Sequence, residues 1–146
     1  YDPYMHVFLD AGNGNILAFF ELPNQKDMGR DENTPIWVQH LAFKVADENA
    51  LIAAKSHIEG LGIDVLGPTH HGIFKSIYFF DPNGHRVELA ADIGTDEQYA
   101  ELKRVAMPML DEWSETKKAP QHAAWLHEIA REEHAKVKPA EEPDLP

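Results

Sequence analysis

His40 and Glu88 are the two side chains whose type and placement could do chemistry together. Residues 36–45 (IWVQHLAFKV) alternate as a strand, with Trp37, Gln39, Leu41, Phe43 and Val45 on one face and Val38, His40, Ala42 and Lys44 on the other. Residues 86–91 alternate in the same way: Val87 and Leu89 point to one side, Arg86, Glu88 and Ala90 to the other. Both polar residues therefore sit opposite an apolar stripe that can pack on a helix. An imidazole and a carboxylate on one rigid sheet suit a divalent first-row metal. A plainer account stays open on spacing alone: His40 hydrogen-bonded in a core, and Glu88 meeting solvent or Arg86.

The elements that must hold these residues follow from the chain in order. Residues 4–10 (YMHVFLD) and 16–22 (ILAFFEL) flank Ala11-Gly12-Asn13-Gly14-Asn15 and read as a hairpin. Residues 23–35 are polar and rich in Pro, Asn, Asp and Gly, a linker loop. The strand at 36–45 is followed by a helix from the N-cap Asp47, with Leu51, Ala54, Ile58 and Leu61 at helical spacing and a stop at Gly60 and Gly62. Residues 63–66 form a short strand closed by Gly67-Pro68. Strands at 76–81 and 86–91 then flank the turn Asp81-Pro82-Asn83-Gly84.

Residues 36–92 are thus a β-α-β-β-β module. The first hairpin (HVFLDAGNGNILAFFEL) is similar to its last two strands (IYFFDPNGHRVELAADI), which makes 1–22 the C-terminal hairpin of an earlier, N-terminally truncated copy. Residues 93–137 form a helical extension capped at Thr95-Asp96-Glu97, with Pro108 expected to kink or split the first helix and a second helix expected from Pro120 to about Val137. Residues 138–146 read as a disordered tail. The predicted fold class is α+β: paired β-α-β-β-β modules forming a curled mixed sheet, plus the helical extension.

Bulk composition narrows the function. A chain of 146 residues with net charge -12 offers little to phosphate backbones or anionic membranes, so no nucleic acid and no membrane partner is expected. The absence of Cys excludes disulfides and thiolate chemistry and suits a cytoplasmic setting. No apolar run reaches the roughly 18 residues of a membrane span.

Three stretches, HLAFKV from His40, Gly67-Pro68, and IYFFDPNGHRVEL from Ile77, resemble the vicinal oxygen chelate superfamily of glyoxalases, bleomycin-resistance proteins, fosfomycin-resistance enzymes and extradiol dioxygenases. The resemblance covers most of residues 4–91. It implies a metal held by the first and last strands of a module, here His40 and Glu88. A narrower resemblance, to extradiol ring-cleavage dioxygenases, lies in His71, Ile77-Tyr78, Asp81-Pro82-Asn83-Gly84 and Glu88. It implies that His71 and Tyr78 hydrogen-bond substrate oxygens beside the metal.

Aligning Asn13-Gly14 with Asn83-Gly84 places Ala18 where Glu88 sits. Glyoxalase-type sites usually take a carboxylate from both modules, so Ala18 favours a two-His-one-carboxylate site on Fe(II), its other His lying upstream of Tyr1. One departure is that the neighbourhood Asn24-Gln25-Lys26-Asp27 lacks a His found in well-studied dioxygenases. The resemblance implies a metal-dependent enzyme acting on a small, vicinal-oxygen, catechol-like substrate, as a homodimer. The alternatives are an isomerase or lyase using Zn, Mn, Ni or Mg, and a metal-free ligand-binding module.

Overall fold

The computed structural model describes residues 2–26, 29, 31–118 and 121–136, which fall into two compact units, Tyr1–Gln39 and His40–Pro146. The first unit holds a hairpin of β1 (Met5–Asp10) and β2 (Ile16–Glu21), paired antiparallel without a register shift. Its loop is closed by the Ala11 amide donating to the Asn15 carbonyl and by Gly12 N–H donating to the Asp10 carboxylate.

The second unit contains β3 (His40–Lys44), α1 (Glu48–Gly60), β4 (Leu66–His70), β5 (Phe74–Phe80), β6 (Arg86–Asp92), α2 (Asp96–Thr116) and α3 (Ala124–Lys136). Its four strands lie in the order β3-β6-β5-β4, with β3 parallel to β6 and the other neighbours antiparallel. The parallel pair needs a crossover, and α1 begins it. Asp47 starts α1 by accepting from the Ala50 amide. One sheet face packs on this helix: Leu51, Ile77 and Ala91 are fully buried, with Val45, Ala54, Ile58, Val65 and Leu89 against them. The opposite face carries His40, Glu88, Arg86, Tyr78 and Ser76. The period-two alternation of the sequence is therefore the division between core face and site face.

Several boundaries differ from the expected ones. The strand expected over 36–45 begins only at His40. The Val38 amide bonds the Pro35 carbonyl in a turn, and β6 itself starts at Arg86, opposite His40, so earlier residues have no ladder to join. The strand expected at 63–66 is instead β4, and Gly67-Pro68 lies within it rather than closing it. The β4–β5 register shifts between Leu66 and Thr69, and β4 is an edge strand, where a proline's lost amide is tolerated.

Pro108 does not split α2, which runs unbroken from Asp96 to Thr116 behind a Thr95–Gln98 capping box. A proline inside a helix removes one amide bond. The good helix formers around it keep the rest. The second helix of the extension starts at Ala124, not at 120; Pro120, Val137 and the tail at 138–146 lie outside the described residues. The extension packs within the second unit: Leu126 of α3 lies against Gly72, and Tyr99 of α2 donates to the Ile73 carbonyl at 2.8 Å.

Candidate metal centre

The parallel pairing of β3 with β6 puts His40 beside Arg86 and Ala42 beside Glu88, so His40 and Glu88 lie diagonally on one face. His40 Nε2 stands 2.8 Å from Glu88 Oε2. Two ligands at about 2.1 Å from an octahedral ion, at right angles, are roughly 3 Å apart. The pair thus has the separation of neighbouring ligands. Glu88 is only 5% exposed, and its other oxygen, Oε1, accepts from the Ser76 hydroxyl. A buried carboxylate needs such partners, because desolvation penalises its charge. This donor set fits a divalent cation, for which His40 and Glu88 would supply two ligands. Among the described residues no third His, Asp or Glu joins them into a metal-sized cluster.

Beside this pair, Tyr78 faces Glu88 across the β5–β6 ladder. Its ring lies edge-on to both His40 and His71, with centroids 6.2 and 6.3 Å away. The Tyr78 hydroxyl and His71 Nε2 are hydrogen-bonded at 2.8 Å, the imidazole tautomer deciding which donates. Burial first, and then the Glu88 charge, push the Tyr78 phenol above its ordinary range. It stays protonated at neutral pH.

His71 belongs to the tight β4–β5 turn, not to a strand. Its amide bonds the Phe74 carbonyl, Gly72 takes φ +88°, and its ring stacks on Phe74. The structure thus brings His40, His71, Tyr78 and Glu88 onto one side of one sheet.

Other histidines lie elsewhere. His70 Nδ1 accepts from the Gly72 amide and so braces the turn. His85 lies in the β5–β6 loop, and His57 is exposed. His122 lies ahead of α3 and pairs with Glu112 at 2.8 Å. The side chains of His127 and His134 are outside the described residues. In the first unit His6 is packed between the Phe8 and Phe20 rings, and its Nε2 is buried without a hydrogen-bond partner among the described residues.

The two hairpins repeat in detail. Phe8 pairs with Ala18 as Tyr78 pairs with Glu88, and Asp10 pairs with Ile16 as Phe80 pairs with Arg86. The loop bond from Ala11 to Asn15 has its counterpart from Asp81 to His85. No bulge intervenes, so Ala18 occupies the position of Glu88.

Sequence reasoning missed two members of the site. Ser76 stands two residues before Tyr78, and Arg86 two before Glu88; strand alternation was the signal for both. Arg86 does not pair with Glu88. Its Cζ lies 4.1 Å from the Tyr78 ring centroid.

A model of the Glyoxalase/Bleomycin resistance protein/Dioxygenase superfamily matches residues 1–89. The chain belongs to this superfamily. Three relatives bear on the site. The Bacillus subtilis protein MhqA, named for ring-cleaving dioxygenase activity, is 32% identical over 106 residues, covering 70% of this chain and 34% of its own. The chlorohydroquinone/hydroquinone 1,2-dioxygenase of Sphingobium indicum is 34% identical over 96 residues, 61% of this chain and 28% of its own. The metallothiol transferase FosB of Bacillus licheniformis is 39% identical over 79 residues, 53% of this chain and 48% of its own. The chain therefore spans about a third of the length of the two dioxygenase relatives. Among the described residues no helix is long and apolar enough to cross a membrane.

Proposed function

We propose that this superfamily member is a metal-dependent ring-cleaving dioxygenase of the extradiol type. His40 and Glu88 supply two of the ligands of an Fe(II) held by two histidines and one carboxylate. The observation that carries this reading is the His40–Glu88 pair, 2.8 Å apart on the face opposite the core. Ala18 at the position equivalent to Glu88 supports one carboxylate rather than two. The names of two relatives point the same way.

A ligand set of two His and one carboxylate leaves open positions, and iron there supplies a meeting point for two substrate oxygens and O₂. The substrate is a small catechol- or hydroquinone-like molecule. The protein's own part is proton handling and orientation. Tyr78 relays the proton: as the substrate hydroxyl passes its proton to the Tyr78 oxygen, the phenol passes its own to His71 Nε2, and the re-formed phenol O–H then donates to the substrate oxygen. In this reading residues 1–22 are the hairpin of a first module, 23–35 a linker, 36–92 the second module and 93–137 its helical extension. The assembly is a cytoplasmic homodimer, and light scattering on purified protein reads its mass directly.

The FosB relative keeps a second reading in play: a lyase, isomerase or transferase that uses Zn, Mn, Ni or Mg as a Lewis acid. Metal analysis of the full-length protein, purified anaerobically and supplied with Fe(II), separates the two. The dioxygenase reading expects stoichiometric iron and O₂ uptake on catechols. Bound metal without O₂ uptake moves the assignment to the second reading. No metal in any preparation, with ligand binding unchanged in His40→Ala and Glu88→Ala, leaves a metal-free binding module.

A further inference from the structure

Arg86 opens β6 on the site face, beside His40 on β3 and opposite Phe80 on β5. Its guanidinium lies over the Tyr78 ring, 4.1 Å from the centroid. That contact holds the cation in place through the ring's quadrupole but satisfies none of its N–H donors. Arg86 Nε is sealed from solvent and has no hydrogen-bond partner among the described residues. Among the described residues no ion pair takes the guanidinium, and the Glu88 carboxylate on the same face is held by His40 and Ser76. In a chain of net charge -12, a guanidinium without a carboxylate partner among the described residues suits an anion, received by its terminal N–H groups because Nε is sealed.

We propose that Arg86 is a specificity-determining residue that binds a carboxylate substituent of the substrate, so that the preferred ligand is a dihydroxybenzoate rather than an unsubstituted catechol. This rests on the ring-cleavage reading above. The guanidinium is a planar fork whose paired N–H groups match the two oxygens of a carboxylate, which a lysine ammonium does not. The contact with Tyr78 holds the guanidinium in place, so little freedom is lost when the anion arrives. Along an extended strand the backbone of Arg86 lies roughly 7 Å from that of Glu88. That is about the span of an aromatic ring carrying oxygens at one end and a carboxylate at the other.

The test is equilibrium binding of catechol and of 3,4-dihydroxybenzoate to the full-length, metal-loaded protein without O₂. The wild type is expected to bind the carboxylated ligand at least about tenfold more tightly. Arg86→Met is expected to lose that advantage while holding catechol within about twofold of wild type. Arg86→Lys, which keeps a charge but not the fork, is expected to fall between them, and it decides the matter should the Met variant fold poorly. Equal weakening of both ligands in either variant means that Arg86 only supports Tyr78, and overturns the proposal. So does a carboxylate preference that survives in Arg86→Met. A wild type that binds catechol with no advantage for the carboxylate sinks the subsite alone. A wild type that binds neither ligand sinks the ring-cleavage reading with it.

Discussion

His40 Nε2 and Glu88 Oε2 meet at 2.8 Å although they come from the first and last strands of the module. They meet because β3 and β6 are adjacent and parallel, a pairing that only a crossover connection allows. If the pair is a metal edge, Glu88→Gln keeps the shape and removes the charge that a hard cation needs. Its metal affinity should fall by more than the roughly 10–100-fold that loss of an outer partner costs. Competition against a chelator measures this without turnover. Affinity within about twofold of wild type would return His40–Glu88 to an ordinary buried ion pair.

Ser76 is fully buried and donates to the Glu88 oxygen that His40 does not use. It fixes which way the carboxylate presents its free lone pairs. Ser76→Ala should weaken metal binding by about 10-fold, the lower end for an outer partner. Unfolding in urea should also show a loss of roughly 1–3 kcal/mol, because Glu88 Oε1 is left buried and unsatisfied. A stability loss with unchanged metal affinity would assign Ser76 to folding alone.

His71 and Tyr78 act as a unit if their hydrogen bond carries the proton-handling role. Tyr78→Phe and His71→Ala should then each reduce the turnover rate by roughly 10²–10⁴-fold, the range for general acid–base help. The double variant should lose little more than the worse single one, since removing either partner breaks the same pathway. Additive losses would mean two independent roles.

How far the site was legible depended on which residues lay on regular strands. His40 and Glu88 were placed on their face by alternation alone, and the β3–β6 ladder put them there. The equivalence of Ala18 and Glu88 was legible because both hairpins have loops of the same length and no bulge to shift the count. Boundaries were less legible, because they depend on where a partner strand ends: residues 36–39 have strand-like side chains, but β6 offers them nothing to pair with. Tyr78's two contacts show the further limit. The His71 bond depends on a turn through Gly72 at positive φ, and the Arg86 stack depends on a rotamer, neither of which a periodic pattern encodes.

The Ile73 carbonyl, beside the turn that carries His71, accepts from three donors: the Ile93 and Gly94 amides and the Tyr99 hydroxyl, each at 2.8 Å. Tyr99 thereby ties α2 to the turn. Burial first, and then the charge of Asp92, raise its phenol above the ordinary value of about 10. The folded state thus holds this proton more tightly than the unfolded chain does. The resulting stabilisation is complete below about pH 10, where both states are protonated, and is lost as pH rises through the raised folded value. Tyr99→Phe should cost about 1 kcal/mol at neutral pH, the worth of one hydrogen bond. It should also make the alkaline decline in stability shallower, though not flat, because the Tyr78 phenol is raised as well. Urea midpoints from pH 7 to 11 for wild type and Tyr99→Phe measure both effects. Coincident curves for the two proteins would mean that Tyr99 titrates alike in the folded and unfolded chain, and that the turn is held by the two amides alone.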